Sequence, residues 1–132
     1  MNIYLDIDGV LLINEKYAAP YADELIARLL QEFPDSTYWL STHCWKDQNR
    51  TKEVLSGALK PETLELLDQI KSTEWGEMKT EAIDFSQRFL WLDDDLWPEE
   101  LAALEKHNAT DNFIMINLNK DPEQLKDILE II

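Results

Sequence analysis

Two groups of acidic residues stand where apolar runs stop. Asp6 and Asp8 close the run Ile3-Tyr4-Leu5-Asp6-Ile7 just before Gly9, and Asp93-Asp94-Asp95 follow Phe89-Leu90-Trp91-Leu92. Ser41 and Thr42 close a third run, Thr37-Tyr38-Trp39-Leu40. Taken singly, each has a plain structural explanation as a turn residue or helix cap. Taken together at the ends of parallel strands, they converge, because ligands in open parallel sheets bind beyond the carboxyl ends of the strands. Close, unpaired carboxylates raise one another's pKa, so something cationic should offset them. Mg²⁺ is the economical choice, since it takes a few carboxylates plus water and a substrate phosphate. Lys79, just ahead of the second acidic strand, is another candidate cation; alone it reads as a solvated helix residue.

The elements that must position these groups can be read from hydrophobic spacing. Ala22, Leu25, Ile26, Leu29, Leu30 and Phe33 follow helical spacing, with Pro20 and Asp23-Glu24 assigned to the first turn and Pro34-Asp35 as the stop. Residues 46–58 read as a helix, Pro61 starts another through Leu67, and Glu77 to Gln87 reads as a third. A short edge strand is expected near Ile70. Pro98 opens a helix carrying Leu101 and Leu104, and Phe113-Ile114-Met115-Ile116 is the last strand. Asp121-Pro122-Glu123-Gln124 resembles a capping box ahead of Leu125, Ile128, Leu129 and Ile132. Strands alternate with helices and are continuously apolar, as when both faces are covered. The expected fold is α/β: a three-layer sandwich on a central, mostly parallel sheet, in one domain over residues 1–132.

The ordered set is Tyr4-Leu5-Asp6-Ile7-Asp8-Gly9, Trp39-Leu40-Ser41-Thr42, Lys79, then Leu92-Asp93-Asp94. It resembles the four motifs of the haloacid dehalogenase-like superfamily, a Rossmann-like group dominated by phosphatases. The resemblance implies that Asp6 attacks phosphorus and that Asp8 serves as general acid, then base. It also implies Mg²⁺ held by Asp6, Asp93, Asp94 and the Asp8 carbonyl, a phosphate-binding hydroxyl at Ser41, and charge neutralisation by Lys79. Ser41 is preferred to Thr42 because it directly follows the strand. Which of Asp93 and Asp94 is the principal ligand stays open. Superfamily dehalogenases lack the acid two residues after the nucleophile, so Asp8 points to a phosphatase or phosphotransferase.

Only about a dozen residues separate Gly9 from the first helix, far fewer than a cap domain needs, and 38 positions from Ser41 to Lys79 are mostly helical. A capless, open site suits a large substrate, an outward-projecting phosphate, or closure by a partner protein or second copy. Thr42, His43 and Arg50 follow the second motif and are candidate substrate contacts. Trp39 and Trp91 read as core, while Trp45, Trp75 or Trp97 could line the mouth; His107 reads as surface.

His43-Cys44, five residues, then Arg50-Thr51 also matches the spacing of a cysteine phosphatase, with Cys44 as thiolate and Arg50 as phosphate fork. The intervening residues contain no Gly, and Asp47 would repel an anion, which argues against it. A two-component receiver domain shares the Asp, Thr and Lys toolkit in a different order. A catalytically silent metal-binding interaction module is the broader alternative. Twenty-seven acidic against 12 basic residues give a net charge of −15, which argues against nucleic acid and anionic membranes as partners. No apolar run is long enough for a membrane span. One cysteine precludes an internal disulfide, and the first residues show neither the basic region nor the cleavage site expected of a secretory leader. A cytoplasmic location is therefore expected.

Overall fold

The computed structural model describes residues 1–47 and 49–132, with the backbone alone at Lys46 and Asp47. In chain order the elements are β1 (Asn2–Leu5), β2 (Leu12–Ile13), β3 (Tyr17–Ala18), α1 (Ala22–Glu32), β4 (Thr37–Trp39), α2 (Thr51–Leu55), α3 (Pro61–Leu66), β5 (Phe89–Asp93), α4 (Pro98–Lys106), β6 (Phe113–Met115) and α5 (Gln124–Ile131). The main sheet has the order β4-β1-β5-β6, and all its pairings are parallel. Lys71 extends it at the β4 edge: Trp39 N–H donates to Lys71 O at 2.7 Å and Lys71 N–H to Thr37 O at 3.0 Å. The expected edge strand near Ile70 is thus a single bridge.

Alternating strand residues feed two cores. Ile3, Leu5, Leu92 and Trp39 join the one built with α1, α2, α3 and α5, and Tyr4, Phe89 and Trp91 join the one built with Leu104 of α4 and Ile83. Helices therefore cover both faces, as the continuous apolar runs require. Leu25, Ile26 and Leu29 of α1 are almost fully buried, contributing about 2 kcal/mol each. Trp39 and Trp91 are fully buried, as their place in the apolar runs suggests.

Four local expectations are corrected. The 46–58 segment is not one helix: a 3-10 turn spans Thr42–Asp47 and α2 starts at Thr51. Asn49 Oδ1 accepts both the backbone N–H and the hydroxyl of Thr51, while Arg50 N–H reaches back to His43 O, so the chain turns before α2. Gln48 lies outside the described residues. The 77–87 segment shrinks to a 3-10 turn at Lys79–Ala82. There Glu81 accepts the backbone N–H groups of Glu77 and Met78, and Asp84 accepts both groups of Ser86. Such side-chain bonds compete with helical ones. Pro20 stands outside α1, whose cap is Tyr21 in a left-handed conformation. No capping box forms at α5: the helix begins at Gln124, whose amide instead ties Asn117 N–H and Met115 O.

The hairpin β2–β3 was not legible in the spacing. Asn14 and Glu15 both have positive φ and form the centre of a turn closed by Lys16 N–H donating to Ile13 O at 3.2 Å, with three residues between the paired Ile13 and Tyr17. Strands of two residues carry no periodicity to read. Among the described residues, no helix is long and apolar enough to cross a membrane.

Candidate active site at the carboxyl edge of the sheet

Strand register brings the two acidic groups together. Leu5 pairs with Leu92, and the next amide, Asp6 N–H, donates to Leu92 O at 3.1 Å. Asp6 therefore emerges beside Asp93, the last residue of β5. Both are buried, at 7% and 2% exposure. Lys79 Nζ lies 2.7 Å from Asp93 Oδ2 and 3.4 Å from Asp6 Oδ2. Trp91 Nε1 donates to Asp93 Oδ2 at 3.3 Å, and Asp95 N–H donates to Oδ1 at 3.2 Å, so the Asp93 carboxylate is held from several directions.

Asp94 brings a third carboxylate. One oxygen each from Asp6, Asp93 and Asp94 lie within 4.8 Å of one another, a group that could hold a metal ion. Gly9 makes room for it: its φ is 78°, and a Cβ there would collide with the Asp94 carboxylate. Asp8, one residue earlier, points its Oδ2 at His43 Nε2, 2.7 Å away.

Three carboxylates face one ammonium, and the imbalance is visible in their acidity. Burial, with the nearby charge of Asp93, pushes Asp6 up to about 8. Burial and the contact with Asp93 push Asp94 up to about 6. Burial pulls Lys79 down, but the attraction of Asp6 and Asp93 outweighs it and leaves the ammonium above its usual value. Lys79 is charged, and the cluster still carries surplus negative charge.

A cavity of about 260 Å³ opens onto this cluster and is lined by Asp6, Asp8, Thr42, Lys79, Asp93 and Asp94, together with Trp75, Glu77, Asp95, Trp97 and Glu100. A second cavity of about 410 Å³ shares Asp8 and Asp94 but reaches neither Asp6 nor Lys79; the β2–β3 turn and residues 115–119 line it. Ser41 is fully buried, outside the cavity lining, and its Oγ accepts the His43 N–H at 3.2 Å. Arg50 is not brought to the cluster. It is exposed and bonds Glu53 at 3.2 Å. Cys44 is buried, its thiol directed at the carbonyls of Ser41 and Trp39. The Cys44–Arg50 pair required by cysteine chemistry therefore does not face a common site; the Asp47 side chain is not among those described. His107 is exposed, stacked on Phe85.

Glu77 and Glu100 were not singled out from the chain. Glu100 stands three residues after Trp97, and its Oε1 accepts the Trp97 N–H at 3.0 Å, half of a capping box whose spacing was readable beside Pro98. The His43–Asp8 contact joins residues 35 positions apart and had no sequence signal.

The fold and site together define an α/β domain with a carboxylate–lysine centre at the carboxyl edge of a parallel sheet. No family model, curated protein or solved structure matches this chain.

Proposed function

We propose that this chain is a capless, Mg²⁺-dependent phosphohydrolase of the haloacid dehalogenase-like type, acting on a phosphate monoester through an aspartyl-phosphate. The observation that carries the reading is the convergence of Asp6, Asp93 and Asp94 around Lys79, with Asp8 on the same cavity. The donor set fits a hard divalent ion: oxygen ligands only, with surplus negative charge, two of them buried. Asp6, Asp93 and Asp94 would hold Mg²⁺, which would supply positive charge to the phosphoryl oxygens.

The chain's own residues account for the remaining chemistry. A carboxylate oxygen of Asp6 attacks phosphorus, forming an acyl phosphate as the bond to the alcohol oxygen breaks. Asp8 gives its proton to that departing oxygen. In the second half Asp8 takes a proton from water, whose oxygen attacks phosphorus. The bond to Asp6 breaks, phosphate leaves, and both carboxyl groups return to their starting states. His43, bonded to Asp8, holds the carboxyl in position. Lys79 offsets the charge on Asp6 and on the transferring group. Of the two candidate phosphate-binding hydroxyls, Thr42 lines the cavity and takes the role, whereas Ser41 is fully buried and not among the lining residues.

The test is hydrolysis of an aryl phosphate with and without Mg²⁺ by wild type, Asp6→Asn and Cys44→Ser. Activity should require Mg²⁺, vanish in Asp6→Asn and survive Cys44→Ser. Metal-independent activity lost in Cys44→Ser would overturn the reading in favour of the thiolate. Mg²⁺ binding without turnover of any ester would favour the non-catalytic metal-binding module.

A further inference from the structure

The proposed chemistry leaves part of the cavity wall without a role. Trp75, Trp97, Glu77, Asp95 and Glu100 line the same cavity as the carboxylate cluster. Lys79 is the one cation among the lining residues described, and Asp6 and Asp93 already engage its ammonium. A leaving group bearing a second negative charge would meet carboxylates with no counter-charge. A leaving group bearing a positive charge would meet the reverse.

The two indoles are held in place. Trp75 is half-buried and stacked on Trp45 with ring centroids 5.3 Å apart and 19° between planes, and Trp45 Nε1 donates to Trp75 O at 2.7 Å. Trp97 is 51% exposed, yet its Nε1 donates to Asp95 Oδ2 at 3.1 Å and its backbone N–H to Glu100. Indole faces attract organic cations through the ring quadrupole, and rings already fixed lose little freedom on binding. At about 260 Å³ the cavity lies just below the range of drug-sized sites, so it suits a small ester.

We infer that this cavity takes a small phosphate ester whose alcohol carries an ammonium or quaternary ammonium group. The phosphate faces Asp6 and the cation faces Trp75, Trp97 and the acidic rim of Glu77 and Asp95. The phosphate half of this inference rests on the hydrolase reading; the cation half stands on the rim residues.

The experiment has two arms. In the first, the indole N–H resonances of the full chain are followed without metal during titration with choline and with neohexanol, its neutral carbon analogue. Choline should bind about tenfold more tightly, and Trp97→Leu should abolish the difference. Equal binding, or none, overturns the inference. In the second arm, Mg²⁺-dependent kcat/KM is compared for phosphocholine, neohexyl phosphate, phosphoglycolate and an aryl phosphate. Phosphocholine should exceed neohexyl phosphate by about tenfold, with phosphoglycolate the poorest. Equal kcat/KM for phosphocholine and neohexyl phosphate, with the aryl phosphate hydrolysed as a control, would overturn the inference and leave the hydrolase reading intact. Selective choline binding with no hydrolysis of any ester would support the cation site and remove the hydrolase reading.

Discussion

Replacing Asp6 by Asn should stabilise the metal-free fold at pH 8 while abolishing the proposed chemistry. Asp6 is 7% exposed, beside Asp93, and its pKa stands at about 8 against an ordinary 3.8. The sign follows from proton binding. Between these values the folded chain keeps the Asp6 proton and the unfolded chain has lost it. Stability from this group is therefore full below the unfolded pKa and is lost as pH rises through the folded one. The slope is at most about 1.4 kcal/mol per pH unit. Across this window the ceiling is about 6 kcal/mol, and ~2–4 kcal/mol is expected once local relaxation around the buried carboxyl is allowed for. Asn is close in shape to a protonated Asp and does not titrate. In EDTA, Asp6→Asn should match wild type near pH 4 and melt roughly 6–15 °C higher at pH 8. Mg²⁺ should raise the wild-type Tm more at pH 8 than at pH 5, because its carboxylate ligands must be deprotonated. Thermal melts followed by circular dichroism across pH check this. A variant less stable than wild type at pH 8 in EDTA, or a gap that does not change with pH, would refute the argument.

Three further outcomes follow from neighbouring contacts. Gly9→Ala places a Cβ at positive φ and against the Asp94 carboxylate, so it should cost about 1–3 kcal/mol in urea unfolding and weaken Mg²⁺ binding measured by calorimetry. His43→Ala frees Asp8 from its partner and should slow alkyl phosphates, whose leaving groups need a proton, about tenfold or more beyond any loss with an aryl phosphate; an equal loss on both would contradict the positioning role. Lys79→Met leaves buried Asp6 and Asp93 without their cation, so it should destabilise the EDTA form by about 3–5 kcal/mol, with Mg²⁺ recovering part of the loss in the same urea titrations.

The readable parts of this chain are those governed by one local rule. The central strands β1 and β5 stood out because they are buried on both faces, and α1 stood out because its buried face repeats at helical spacing. The residues after those strands were readable as a group because parallel strands deliver their carboxyl ends to one edge, and Leu5 opposite Leu92 does this for Asp6 and Asp93. What was not readable depends on contacts that no local rule fixes. Lys79 reaches the cluster from a short turn rather than the expected helix, because Glu81 and Asp84 spend their carboxylates on nearby backbone and hydroxyl groups. A longer helix there would have competed with those bonds. His43 meets Asp8, and Trp97 meets Asp95 and Glu100, only after the chain has folded around them. The same clustering that makes the edge chemically useful makes it unfavourable to fold without a cation. Asp6 then expresses both properties, since its burial raises its pKa in the empty cluster and a divalent ion would reverse that shift. Stability and the proposed catalysis therefore pull on one carboxyl group in opposite directions.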